Sequence, residues 1–164
     1  MNAQIGIEFI FPNEAWRLCE DGIGVLGDLF HQLSPYRDRP LTKEDFLKLA
    51  DESACLLVAV DLAHKGHMVG IARLIVRLEN GLRYGVIHDV VVDVSYRRAG
   101  IGKALTRKLL SLARRFHLDV VELPSKPERV FANLMYLSLG FALVSAADPS
   151  DPMSTNHYQL TLSQ

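Results

Sequence analysis

The segment Arg97-Arg98-Ala99-Gly100-Ile101-Gly102-Lys103 lies between an apolar run and the clearest helical pattern in the chain. Apolar residues recur at helical spacing over residues 101–116, so a helix is expected to begin directly after Gly100. Glycine lets the backbone turn sharply and brings bare N–H groups close to a ligand. The first N–H groups of a helix are unpaired and carry partial positive charge, which favours an anion there. With its basic side chains, the segment predicts a cradle for a diphosphate.

Three other interpretations compete for this segment. The glycines could merely turn the chain while the arginines lie in solvent. A P-loop requires G-x-x-x-x-G-K-[ST], and no stretch of the sequence matches it. A Rossmann dinucleotide site fits the first two glycines, and Glu122 follows about twenty residues later. Against that site, Leu105 stands where the third glycine belongs, and residues 95–99 lengthen a turn that should be tight.

Composition restricts the class of protein. A chain of 164 residues with 49% hydrophobic content is expected to form one domain over residues 1–164. Eighteen basic and nineteen acidic residues give a net charge of −1, which argues against nucleic-acid binding. No apolar run approaches the roughly 18 residues of a membrane span, and no secretory signal is visible, so we expect a cytoplasmic protein without membrane contact. Cys19 and Cys55 lack metal-ligand spacing, so neither a metal site nor a disulfide scaffold is expected, and Cys55 resembles a small core residue.

Hydrophobic periodicity predicts the remaining elements. Strands are expected at residues 5–11, 55–60, 69–78, 84–94, 120–123, 141–144 and 157–162, and helices at 14–33, 42–51, 101–116 and 128–139. Gly22, Gly24 and Gly27 are expected to break the first helix, while Thr42 with Asp45 resembles a capping box. The order βααβββαβαββ predicts an α/β fold with a mixed sheet of about seven strands and helices on both faces.

The pattern Arg97-x-x-Gly100-x-Gly102 is similar to the [Gln/Arg]-x-x-Gly-x-[Gly/Ala] signature of the GCN5-related N-acetyltransferase (GNAT) superfamily. The run Ile87-His88-Asp89-Val90-Val91-Val92-Asp93 resembles the strand that precedes this signature. The segment from Arg129 to Phe141 resembles a later family motif, with Ala132, Tyr136 and Gly140-Phe141 at the family's spacings. The resemblance covers residues 55 to 144 and implies the GNAT acyl-CoA N-acyltransferase fold with acetyl-CoA as co-substrate. Arg98-Ala99 departs from the commoner Gly-Lys.

The resemblance also implies how the coenzyme is held. Val90, Val91 and Val92 offer backbone groups to the pantetheine arm, and a bulge in their strand frees the N–H of Val91 or Val90 for the developing oxyanion. Asn133 makes a polar contact with the coenzyme arm. The pyrophosphate is held by the signature residues Arg97, Arg98, Ala99, Gly100, Ile101, Gly102 and Lys103.

Three residues are candidates for proton transfer. The resemblance implies that Tyr136 is the acid that protonates the departing thiolate. Period-2 geometry places His88, Val90 and Val92 on one face of the strand, so His88 is the candidate base, and its ordinary pKa near 6.5 suits that role. Asp89 is the alternative base if a bulge reverses the alternation.

The acceptor is the least determined part of the site. A closed pocket lined by His31, Tyr36 and Arg83 would favour a small-molecule amine, attacked directly in a ternary complex, whereas an open groove would favour a protein lysine or N-terminus. A sensor that binds acyl-CoA without turnover is the non-enzymatic alternative. Family members often form dimers through their C-terminal strands, so the resemblance allows a homodimer.

Overall fold

The computed structural model describes residues 4–10, 14, 16–34 and 39–162, and for residues 16–21 it describes the backbone alone. Seven strands and four helices alternate along the described chain in the predicted order. They are β1 (Ile5–Ile10), α1 (Trp16–Leu33), α2 (Lys43–Asp51), β2 (Cys55–Asp61), β3 (His67–Glu79), β4 (Leu82–Val92), α3 (Ile101–Arg115), β5 (Val120–Ser125), α4 (Val130–Ser138), β6 (Ala142–Ser145) and β7 (Asn156–Thr161).

The strands form one mixed sheet in the order β1-β2-β3-β4-β5-β7-β6. The β4–β5 pair is parallel, while the neighbours on either side pair antiparallel. A Rossmann fold needs a mainly parallel, doubly wound sheet, so the dinucleotide alternative is wrong. The predicted mixed sheet with helices on both faces is confirmed.

Two apolar cores lie on opposite faces of the sheet. On one face, Leu26, Leu29 and Phe30 of α1 pack with Phe46 of α2 against the inward residues of the central strands. On the other face, α3 contributes its predicted apolar stripe, including Leu105 and Leu109. Cys55 is fully buried in this second core, as expected, and burial raises the pKa of its thiol to about 12.

Helix α1 is continuous from Trp16 to Leu33, so the expected break at its glycines is wrong. Each glycine costs the helix about 1 kcal/mol relative to alanine, and burial of the apolar side chains of α1 offsets that cost. The capping box at the start of α2 is confirmed, since Asp45 N–H donates to the Thr42 hydroxyl and Thr42 N–H donates to the Asp45 carboxylate. Within the described residues, each helix is too short or too polar to traverse a bilayer.

The C-terminal ends of β4 and β5 each differ from prediction by two residues. Strand β4 stops at Val92 because Asp93 caps a short 3-10 turn, accepting a hydrogen bond from Ser95 N–H at 2.8 Å. Strand β5 continues through Pro124 to Ser125, paired with β7. Proline has no N–H, and strands tolerate it where pairing on one side has ended.

Candidate functional site

A wedge opens in the middle of the sheet between β4 and β5. Their parallel pairing begins at Tyr84 and Val120 and ends at Val86 and Glu122. Beyond that point β4 continues against β3, whereas β5 continues against β7. The facing edges of β4 and β5 are therefore left without a strand partner, and an extended molecule can add its own hydrogen bonds there.

A β-bulge lies in β4 at the mouth of this wedge. The register with β3 shifts between Ile71, which pairs with Val91, and Arg73, which pairs with His88. Asp89 absorbs the extra residue with a φ of 53°. Val90 and Val92 consequently pack toward α3, whereas Val91 is buried toward α1 and α2. The expected bulge is present, but the predicted face shared by His88, Val90 and Val92 is wrong because the bulge reverses the alternation.

The signature segment presents a row of unpaired backbone N–H groups. Arg97 N–H donates to Val94 O at 3.4 Å, and the next backbone bond is that of Ala104 N–H to Gly100 O at 3.0 Å. The N–H groups of residues 98–103 donate no hydrogen bond within the described part of the chain. Gly100 is the N-cap of α3 at a φ of 80°, where a side chain would be strained. These N–H groups can bind a diphosphate at a helix N-terminus.

The basic side chains of the segment take three different positions. Arg97 turns back, its Nε donating to Val92 O at 3.0 Å and its guanidinium to Gln32 Oε1 at 3.2 Å. Arg98 lies over the ring of Phe131, 3.8 Å from the centroid, and Lys103 donates to the Ser138 hydroxyl at 2.9 Å. Arg97 thus stabilises the loop, while Arg98 and Lys103 remain beside the row of N–H groups.

Two adjoining cavities, of about 240 and 260 Å³, lie beside the wedge. The first is bounded by β4, by the end of β5 and by α4, and the second lies between the sheet and helices α1 and α2. Leu33, Ser34 and Asp89 line both. The end of α1 therefore lies over both cavities. The first cavity opens to the wedge, and the second opens to the face of the sheet that α1 and α2 cover.

Tyr136 lines the first cavity and packs between two aromatic neighbours. Its ring centroid lies 6.0 Å from those of both Phe141 and Tyr158. Burial raises the pKa of Tyr136 to about 12, the positive charge of Arg129 works against that increase, and Tyr158 adds to it. The hydroxyl makes no hydrogen bond among the described residues, so its proton is available to a molecule in the cavity.

His88 and Asp89 differ in how freely they can accept a proton. Asp89 forms an ion pair with buried Arg73, which also donates to Leu49 O in α2 at 3.1 Å. His88 is the register partner of Arg73, and cross-strand partners share a face, so His88 lies toward α1 and α2. Burial lowers the pKa of His88, Asp89 opposes this, and Arg73 and Arg77 reinforce it. The imidazole of His88 is therefore uncharged near pH 7.

Two buried polar atoms have no partner in the described structure. Asn133 Nδ2 donates to Lys126 O at 3.1 Å and to Pro127 O at 3.3 Å, which leaves its Oδ1 unpaired. The Ser125 hydroxyl, at the end of β5, is also unpaired. Buried polar groups in folded proteins are nearly always satisfied, so these two atoms mark positions where a bound molecule can contribute a hydrogen bond.

The predicted acceptor residues are not brought together. Arg83 lies near the start of β4, its N–H bonded to the Asp119 carboxylate, about 20 Å along the strand from Asp89 at 3.3 Å per residue. His31 is exposed on the last turn of α1 and lines neither cavity, and Tyr36 lies outside the described residues. Neither Ser125 nor Lys126 was predicted, although both line the first cavity.

These elements match a known family of enzymes. The model of the acetyltransferase (GNAT) family matches residues 25–141, which include β4, its bulge, the signature segment and Tyr136. The chain belongs to this family.

Curated relatives and solved structures agree with this assignment. The chain is 37% identical over 106 residues to glucosamine 6-phosphate N-acetyltransferase 1 of Oryza sativa subsp. japonica, a match that covers 59% of the chain and 62% of the rice protein. The chain thus spans less than two thirds of that relative's length. A solved acetyltransferase of Trypanosoma brucei is 25% identical at a TM-score of 0.69, covering 90% of this chain and 99% of that one. A putative acetyltransferase of Salmonella typhimurium, solved with acetyl-CoA, has a TM-score of 0.77 at 17% identity, covers 99% and 96% of the two chains and shares the fold.

Proposed function

We propose that this chain is an N-acetyltransferase that transfers the acetyl group of acetyl-CoA to a primary amine of a small molecule. The observation that carries the proposal is the row of unpaired N–H groups at residues 98–103, directly after a bulged strand whose edge is free. The Salmonella typhimurium neighbour binds acetyl-CoA, and the rice relative is named for a small phosphorylated amine, which supports both substrates.

The chain offers a binding group for each part of the coenzyme. The N–H groups of residues 98–103, with Arg98 and Lys103 beside them, would hold the diphosphate. The free edge of β4 at Val90, Val91 and Val92 would hydrogen-bond the pantetheine arm. The unpaired Oδ1 of Asn133 supports its assignment to that arm, because an amide N–H there would satisfy it.

Acetyl-CoA supplies the acetyl group as a thioester, and the chain's residues direct its transfer. Neutral His88 accepts a proton from the attacking amine, directly or through water, and Asp89 is the alternative base. The N–H of Val90 or Val91 at the bulge stabilises negative charge on the carbonyl oxygen. Tyr136 donates its phenolic proton to the departing sulfur, and its raised pKa keeps it protonated until then.

Direct attack in a ternary complex is favoured over an acetyl-enzyme. Asp89 lines both cavities, so they adjoin beside β4, and an amine held there can meet a thioester that lies along the free edge of that strand. Cys55, the cysteine whose side chain the structure describes, is fully buried, and burial raises the pKa of its thiol to about 12, so it is a poor nucleophile. Drug-sized ligands occupy pockets of about 300–1,000 Å³, and cavities of about 240 and 260 Å³ suit a smaller acceptor.

The test is a panel of small amines and amine-bearing peptides with acetyl-CoA, monitored by release of free thiol. We expect release with small amines, and a loss of about a hundredfold in kcat for Tyr136→Phe with acetyl-CoA affinity unchanged. Peptide acetylation without small-amine acetylation would assign the chain to protein acetylation. Binding of acetyl-CoA without any thiol release would instead identify a sensor.

A further inference from the structure

Two cations line the first cavity without a carboxylate partner in the described part of the chain. Arg129, just before α4, donates to Leu33 O at the end of α1 at 2.6 Å, and Lys126 donates to Pro152 O at 2.6 Å. Each carbonyl oxygen accepts one hydrogen bond from its cation but does not neutralise the charge, and further N–H donors remain on both side chains. The α4 side of the cavity therefore carries excess positive charge.

The same side of the cavity contains an unsatisfied donor. Ser125 is 2% exposed, its hydroxyl has no hydrogen-bond partner among the described residues, and it lines the cavity beside Lys126. A hydroxyl can donate to an anionic oxygen, and hydrogen bonds to charged groups are stronger than neutral ones. Arg129, Lys126 and Ser125 together have the composition of a site for a phosphate or a carboxylate.

The opposite wall of the cavity has a different character. Asp89 and His88 of β4 lie there, and the charge of Asp89 is balanced by Arg73. This wall suits an amine group, whereas the α4 side of the cavity suits an anion. Such a separation of charge matches an acceptor that carries both groups.

We propose that the acceptor amine bears an anionic group, a phosphate or a carboxylate, which Arg129, Lys126 and Ser125 bind while the amine lies beside His88. This inference rests on the proposed function and defines the substrate class of the same site. Arg129 would then determine acceptor specificity, and an acceptor lacking the anion would bind weakly.

Calorimetric titration of the full chain in the presence of CoA tests the proposal. The probes are two pairs: glucosamine 6-phosphate with glucosamine, and L-threonine with L-threonine amide. We expect the anionic member of one pair to bind about tenfold or more tightly than its partner, as for a charge-assisted hydrogen bond. The pair that discriminates identifies phosphate or carboxylate.

Variants assign the preference to the cavity. Arg129→Gln should abolish it, Arg129→Lys should retain part of it, and Arg115→Gln, which removes an exposed charge at the far end of α3, should leave it unchanged. Equal affinity within both pairs, or an Arg129→Gln variant that weakens CoA rather than the acceptor, overturns the proposal. A preference in binding without any acetyl transfer would instead count against the proposed function alone.

Discussion

His88 is the residue whose ionisation should control the rate at low pH. A general base must be unprotonated, and burial lowers the pKa of this imidazole. Because protonation removes the base, kcat/KM should fall as the pH falls through that lowered pKa, at a midpoint below the ordinary value of about 6.5. We expect His88→Gln to lower kcat/KM by about a hundredfold and to remove this acidic limb.

The matched control for this pH profile is His67→Gln, an exposed histidine at the start of β3. It should leave the profile unchanged. If the limb persists in His88→Gln and is lost in Asp89→Asn, then Asp89 is the base, and its pairing with Arg73 must open during the reaction.

The close approach of β3 to β4 depends on Gly70. A Cβ built at Gly70 would lie 2.9 Å from Val91 O, a backbone atom two residues after the bulge. Gly70→Ala should therefore push β4 outward, cost about 1–3 kcal/mol of stability as an overpacked substitution, and lower the transfer rate. Urea unfolding and initial rates measure the two effects.

Gly24 provides the opposite case within the same chain. It is an exposed helical residue of α1, and a Cβ there would meet nothing within 4 Å. Gly24→Ala should raise stability by up to about 1 kcal/mol without changing the rate. Equal behaviour of the two variants would contradict the role given to Gly70.

The end of α1 is connected to the signature segment through Gln32. Its Oε1 accepts from Val94 N–H at 2.9 Å and from Arg97, and its Nε2 donates to Asp93 at 3.1 Å. Gln32→Leu should loosen the turn before the N–H row and raise the KM for acetyl-CoA about tenfold, with a smaller change in kcat. Gln32→Glu keeps both acceptor contacts and should recover part of the affinity. An unchanged KM in Gln32→Leu would exclude this connection.

Sequence patterns predict an element well when its start and end depend on residues close to each other in the chain. The start of α3 after Gly100 and the Thr42 capping box depend on residues within one turn of each other, and both predictions hold. The unbroken α1 and the continuation of β5 through Pro124 depend on packing and on partner strands distant in sequence. Periodicity does not contain that information.

The site shows the same division between local and distant information. The bulge reverses the predicted faces because the positive φ angle at Asp89 moves every later side chain of β4 to the opposite face of the sheet. Arg83 was expected in the acceptor pocket but lies near the start of β4, far from the bulge. This distance depends on the length of β4, which the local pattern does not define. Ser125 and Lys126 were missed because their cavity exists only once α1, β4, β5 and α4 are assembled. Arg129 could have been identified from its place in the later family motif.

The wedge divides the sheet into β1 to β4 on one side and β5, β7 and β6 on the other, joined by a short parallel pairing. A molecule bound in the wedge contacts both parts. Acetyl-CoA at a hundred times its Kd should therefore raise the free energy of unfolding by about 2.7 kcal/mol, and the Tm by about 5–10 °C for a chain of this length.

Hydrogen exchange distinguishes binding in the wedge from binding elsewhere. Acetyl-CoA should slow exchange at residues 98–103, whose N–H groups are otherwise unpaired, and along the free edge of β4. The local exchange of β6, at the outer edge of the sheet, should not change. Thermal stabilisation with unchanged exchange at residues 98–103 would mean that the diphosphate binds elsewhere, and the assignment of this segment as the coenzyme cradle would then be wrong.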